Sequence, residues 1–297
     1  MILINIIYDS IFMLFLAYGF GFLYYGLYRN ISARVHGRFG PSLAQSFIDS
    51  IKLFTKKNST SFGWMFYLGP IIAATGATMT VLFIPFLSDK EYLNGFSEYG
   101  NLIVVLYFMV LGPLGNALGI GSNGNPFGVM GVTRGLTRLI GLELPFYIAV
   151  IGLMIANETA SIAQIVSNQS EQMNIITYPL LFISAFISFL GFMGKSPFDV
   201  VGAPPEVYSG PASEFSGKFF ALALSQSAIF SFAKLLLMVN LFMGGAESLI
   251  MLVVKTFILF ISAVFVGNVY GRFTTIQSVE FLVRVPTIIG IVGLYYV

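Results

Sequence analysis

The feature that most constrains this chain is a series of long, nearly uncharged apolar runs. A helix needs about 20 mostly apolar residues to cross the hydrocarbon core of a bilayer. Eight stretches reach or approach that length: 2–28, 62–87, 99–121, 139–156, 175–193, 219–242, 249–270 and 281–297, of which the fourth and eighth are short. Lipid offers no hydrogen bonds to the backbone, so segments of this kind satisfy their own backbone as helices. Only 9% of the 297 residues are charged, against about 25% in soluble domains, and the mean hydropathy is +0.86. The expected fold is an all-α polytopic membrane protein of about eight transmembrane helices, one integral membrane domain over 1–297. The opening MILINIIYDSIFMLF lacks the basic region and cleavage site of a signal peptide and reads as a retained first span.

The connections alternate in charge. Those after spans one, three, five and seven, about 29–61, 122–138, 194–218 and 271–280, hold nearly all the loop cations: Arg29, Arg34, Arg38, Lys52, Lys56, Lys57, Arg134, Arg138, Lys195, Lys218 and Arg272, with Arg284 just beyond. The other connections hold Lys90 beside Asp89, Glu91, Glu98, Glu158, Glu171 and Glu247. The positive-inside rule places the basic connections in the cytoplasm and both termini outside a cell membrane. Residues 41–57 (PSLAQSFIDSIKLFTKK) carry Leu43, Phe47, Ile48, Ile51 and Phe54 at helical spacing, with Gln45, Asp49, Lys52 and Lys56 opposite. A short amphipathic helix on the cytoplasmic membrane surface is expected there, as a simple anchor or a docking element for a partner.

Several chemistries are excluded. There is no cysteine and only one histidine, His36, so the chain cannot ligate an iron–sulfur cluster or a bis-histidine haem, and a Cys/His zinc site is implausible. No cofactor is expected in the chain itself. A net charge of +2 gives no reason to expect nucleic acid. GIGSNG (119–124) has dinucleotide-loop spacing, but it follows a membrane span rather than a strand. The pairs Gly115/Gly119, Gly131/Gly135 and Gly267/Gly271 have the spacing that lets helices approach closely.

Ionisable residues within spans are costly unless paired or hydrated, and mark ion paths. Glu143 lies about one turn inside span four, before Pro145, which should disturb the local helix. It reads as a proton-titrating carboxylate or as an interfacial acid neutralised by Arg134 or Arg138. Lys234 and Lys255 fall in the outer halves of spans six and seven, and Asp9 in that of span one. One lysine is expected to pair with Asp9; otherwise both snorkel outward.

The connection GKSPFDVVGAPPEVYSGPASEFSGK (194–218) resembles the most recognisable loop of the complex I subunit 1 (NuoH-like) family. Lys195 stands at the family's arginine, Pro197-Phe198-Asp199 match, and Glu206, Gly210 and Glu214 to Gly217 follow without a gap. In the first cytoplasmic connection Arg38, Gly40, Pro41, Gln45, Asp49, Lys52, Leu53 and Lys56 fall on a second family pattern, with a short spacing that looks like group 4 membrane-bound [NiFe] hydrogenases and sulfane reductases. Arg134 and Glu143 in TRGLTRLIGLELPF, and RFTTIQ at 272–277, are weaker matches. Gly202 and Pro204 replace two loop acids of the family, and Gln226 replaces a frequent span-six glutamate. Glutamine can hydrogen-bond but cannot titrate, so a complete acidic path to a quinone is not expected.

The resemblance implies a membrane anchor and coupling subunit of a multi-subunit oxidoreductase. Hydrophilic hydrogenase-like subunits carrying Fe–S clusters, and possibly Ni–Fe, would dock on the cytoplasmic face. Antiporter-like membrane subunits would carry protons or sodium. The coupling candidates are Glu143, Asp199, Glu206, Glu214, Lys234, Lys255 and Asp9. The docking candidates are Arg34, Arg38, Asp49, Lys52, Arg134, Arg138, Lys195 and Arg272. A purely structural anchor and a quinone-binding complex I-type subunit remain as alternatives, and a stand-alone secondary transporter is disfavoured because the two halves show no repeat.

Overall fold

The computed structural model describes residues 2–58, 63–88, 92–122, 124–201 and 214–297. Among them all regular structure is helical. The long helices are α1 (Ile2–Val35), α3 (Trp64–Leu82), α4 (Leu102–Gly121), α5 (Pro126–Ala156), α9 (Gly217–Phe242), α10 (Leu249–Val269) and α11 (Thr275–Tyr295). These seven are long and apolar enough to cross a membrane. Shorter helices are α2 (Gln45–Thr55), α6 (Ile162–Asn168), α7 (Asn174–Thr177) and α8 (Pro179–Phe192). Large apolar side chains such as Phe15, Ile250 and Phe265 face outward, as a lipid-facing surface requires.

Helix starts follow local chemistry. Asn101 caps α4 by accepting from the Val104 N–H at 3.1 Å. Asn125 accepts from Phe127 N–H at 2.9 Å, with Pro126 at the first helical position; proline suits that position because the N–H it lacks would be orphaned anyway. Thr274 and Gln277 form a reciprocal capping box at the start of α11, satisfying two orphan donors together.

Several sequence expectations need correction. Residues 126–138 are the first turns of α5 rather than a loop, so Arg134 and Arg138 sit on a helix and Glu143 lies at its middle rather than one turn inside. The eighth span begins at Thr275, which shortens the 271–280 connection to a few residues. The fifth span is broken: α7 ends before Tyr178, and Pro179 opens α8, since proline disfavours helix at the residue before it. At 14 residues, α8 is only about 21 Å long at 1.5 Å per residue, short of a bilayer crossing. α1 overshoots: its 34 residues make about 51 Å.

α9 is the central helix, with Leu235 to Phe242 buried without a break. It packs on α1, α2 and α3, while α5 packs on α8 and α11. α3 and α4 are in close contact: a Cβ on Gly69 would lie 2.3 Å from the Gly119 Cα, and one on Gly115 2.4 Å from the Ala73 nitrogen. The Gly115/Gly119 pair is thus a true helix contact. Gly267 instead meets the side chain of Lys195, and Gly271 meets nothing.

Candidate functional site

The segment 193–201 follows α8 and begins the proline-rich connection. It is not a solvated loop. Phe198 and Val200 are each 2% exposed, and the Phe198 ring packs on Phe273 and Phe281. Phe273 N–H donates to the Pro197 carbonyl at 2.9 Å. Apolar anchors therefore pull a polar-looking sequence into the protein and fix the charges around it.

Two groups of charges result. Near the surface, an Arg272 nitrogen lies 3.6 Å from an Asp199 carboxylate oxygen. The Lys195 ammonium sits 3.6 Å from the centroid of the Tyr28 ring and 5.8 Å from that of Tyr25. Burial lowers the Lys195 pKa from 10.5 to about 8, with Asp199 pulling the other way. Deeper in, Arg138 on α5 donates to the Phe198 carbonyl at 2.7 Å. Lys234 on α9 donates to the Phe192 carbonyl at 2.8 Å and lies 4.1 Å from the Phe230 ring centroid. It thus caps the C-terminal end of α8, where carbonyls lack helical partners. Glu143 hydrogen-bonds Tyr147 one turn on, and both line a pocket of about 40 Å³ with Arg138 and Lys234. A larger cavity of about 260 Å³ adjoins it between α4, α5 and α9. Asp199, Lys195, Arg272 and Arg138 therefore gather on one segment, and Arg138 shares a pocket with Lys234 and Glu143.

Other candidates lie elsewhere. Lys255, 7% exposed, donates to the carbonyls of Met243 and Gly245 at 2.6 and 2.7 Å. No ion pair joins either lysine to Asp9 among the described residues, and neither lysine snorkels; each ammonium is held by backbone carbonyls, which leaves Asp9 apart from the site. Asp49 pairs with Arg29 at 3.4 Å and accepts from Gln45 at 2.8 Å. Ser50 on the inner face of α2 lies within hydrogen-bond distance of the Tyr18 and Ser225 hydroxyls, while Ile48, Ile51 and Phe54 are exposed, as an interfacial helix requires. Arg34 stacks on Phe39 at 5.0 Å; Arg38 and Lys52 are exposed. Glu214 accepts from the Asn125 amide at 2.9 Å. Arg134 lines a surface pocket with Arg272. Glu206, like Gly202 and Pro204, lies outside the described residues. A further cavity of about 460 Å³ between α1, α2 and α9 is lined by Phe22, Tyr25, Arg29 and Asp49 among others.

Sequence reasoning missed Tyr147 as the partner of Glu143, although the four-residue spacing was available. It also missed the amides Gln169, Asn174 and Asn240, which are 5%, 4% and 2% exposed. Gln226, singled out as a replaced acid, accepts from the Asn116 amide at 3.3 Å. Among the described residues no group of His, Asp or Glu is arranged to hold a metal.

A profile of the NADH dehydrogenase family matches residues 8–297. Hydrogenase-4 component C of Escherichia coli (strain K12) is 30% identical over 278 residues, 88% of this chain and 87% of its own. An NADH-quinone oxidoreductase subunit of Bacillus cytotoxicus is 29% identical over 240 residues, 76% of this chain and 70% of its own. An F(420)H(2) dehydrogenase subunit of Methanosarcina acetivorans is 31% identical over 237 residues, 74% of this chain and 67% of its own. Among solved structures, a chain of the membrane-bound sulfane sulfur reductase, an archaeal respiratory membrane complex, superposes with a TM-score of 0.92 at 32% identity, over 98% of each chain.

Proposed function

Because the chain belongs to the NADH dehydrogenase family, that of the complex I subunit 1 (NuoH-like) proteins, we propose that it is the membrane anchor and coupling subunit of a multi-subunit respiratory-type oxidoreductase. Fe–S-bearing subunits dock on its basic end, which faces the cytoplasm, and antiporter-like subunits alongside it move protons or sodium. The similarity to a hydrogenase component and to a sulfane reductase chain over most of their lengths supports the hydrogenase-like branch.

One observation carries the coupling role. Segment 193–201 carries Lys195 and Asp199, meets Arg272, and receives Arg138 at the Phe198 carbonyl, while Lys234 is held one residue before it, at the Phe192 carbonyl that ends α8. A partner that draws Asp199 away from Arg272 would shift a segment whose Phe198 carbonyl holds Arg138, which shares a pocket with Lys234 and Glu143. A charge change at the surface would then alter the field at a mid-helix carboxylate, where weak screening keeps such fields strong.

Affinity purification of the chain from native membranes in mild detergent tests this reading. Iron–sulfur subunits and antiporter-like membrane subunits are expected to co-purify; a chain that purifies alone and intact would refute it. With no native cysteine, single-cysteine reporters in the connections would test the orientation. A second reading has its own observation: the cavity of about 460 Å³ between α1, α2 and α9 combines rings with polar groups, as a quinone site does. Organic extraction of the purified complex is expected to release quinone under that reading, and its absence would dismiss it.

A further inference from the structure

We propose that the cavity between α5 and α9 is an oxyanion site that holds a phosphate-type headgroup between Arg138 and Lys234. The cavity, about 260 Å³, is lined by Asn116 from α4, Arg138 from α5, and Gln226, Ser227, Ser231 and Lys234 from α9. Its two charged lining residues are both cations, and they are near enough to repel each other. Among the described residues no carboxylate lines it; Glu143 belongs to the adjoining pocket, where it hydrogen-bonds Tyr147. Asp199 offsets the charge of Arg138 in part, while the charge acting on Lys234 is that of Arg138; a cation pair so placed at membrane depth stays costly until an anion balances it.

The donors suit an oxyanion. Arg138 gives one terminal nitrogen to the Phe198 carbonyl, and its buried Nε has no hydrogen-bond partner among the described residues. A guanidinium with unused edge donors matches the fork of a phosphate or carboxylate. The ammonium of Lys234 has three donors and spends one on the Phe192 carbonyl. Gln226 spends its carbonyl oxygen on the Asn116 amide, and its own NH2 group is a donor. Apolar residues such as Ile120 and Leu139 also line the cavity and would take an acyl chain. The source of the anion is therefore a phospholipid headgroup or free phosphate.

The location gives the site a consequence. α9 packs with α1, α2 and α3, whereas α5 packs with α8 and α11. An anion held by Arg138 on one side and Lys234 on the other would clamp these two groups of helices together.

Native mass spectrometry of the detergent-purified complex tests this, with wild type compared to Arg138→Gln and Lys234→Gln. Melting is followed in parallel in inorganic phosphate and in chloride at matched ionic strength. Phospholipid retained by wild type, with occupancy falling about tenfold in each variant from the loss of one charge-assisted contact, would support the site and identify a lipid. No retained lipid, but a melting temperature raised by phosphate beyond chloride in wild type and not in the variants, would support the site and identify the free anion. Wild type that holds no phospholipid and responds equally to the two salts overturns the proposal. So do neutral variants that match wild type in both readouts. If the neutral variants fail to assemble, Arg138→Lys and Lys234→Arg keep the charge and are expected to retain the ligand; their failure to do so, where wild type binds, would also count against it.

Discussion

Two buried lysines, Lys255 and Lys234, solve the same problem in different ways. At one end of α9 the helix stops with Gly244 and Gly245 at φ of 68° and 60°, the left-handed turn that glycine permits after a helix. Four carbonyls left over there find side-chain donors. Gln169 donates to Asn240, Asn174 to Leu241, and Lys255 to both Met243 and Gly245. Asn240 in turn donates to the Pro85 carbonyl, and Gln169 accepts from Gly244 N–H. Lys255 also borders a cavity, of about 210 Å³, but Glu247 lines that cavity with it. Lys234 instead caps a single carbonyl of α8 and shares its cavity with a second cation. The first lysine has two carbonyls and a carboxylate nearby, and the second has one carbonyl and a like charge.

The largest expected effect concerns the satisfied end. Lys255→Met leaves two buried carbonyls without donors, costing on the order of 3 kcal/mol, and thermal melting of the purified complex should fall well below wild type. Lys234→Met orphans one carbonyl, a cost of about 1 kcal/mol, so it should melt closer to wild type than Lys255→Met does, yet impair ion translocation. Equal losses of stability in the two variants would erase the distinction between the lysines.

A pH dependence at Lys195 tests the surface end of the same segment. Its folded pKa of about 8 lies below the ordinary 10.5, so the unfolded chain binds more protons between those values. Stability should then rise with pH from about 8 to 10.5, and the penalty for the buried charge is in full force below about 8. Melting temperature is expected to climb more steeply with pH in wild type than in Lys195→Met; parallel curves would show that Lys195 does not titrate in that window.

The membrane fold is legible because uninterrupted apolar length is a direct signal, and RFTTIQ (272–277) carries its helix start in a recognisable cap. What the sequence hides are interruptions within apolar runs. In ITYPLLFISAFISFLGFM (176–193) the helix ends at Phe192, close to the expected end of the span at 193, but the break at Tyr178 is signalled by Pro179 alone and is lost in the apolar run. Lys195, Pro197 and Asp199 make 194–201 look solvated, although Phe198 and Val200 are the apolar anchors that draw it inward. Arg138 reads as a loop cation because hydropathy falls where α5 still continues. The candidate site is legible as a set of residues, and their gathering around one segment is not.

The central claim is that this segment links surface charge to ion movement through Glu143. The most direct test is the ratio of ions moved to electrons transferred in inverted vesicles bearing the assembled complex, compared between wild type and Glu143→Gln. Glutamine keeps the size and hydrogen bonding of the side chain but cannot titrate. The account predicts that electron transfer persists while the ratio falls severalfold or more. An unchanged ratio at full electron transfer would contradict it.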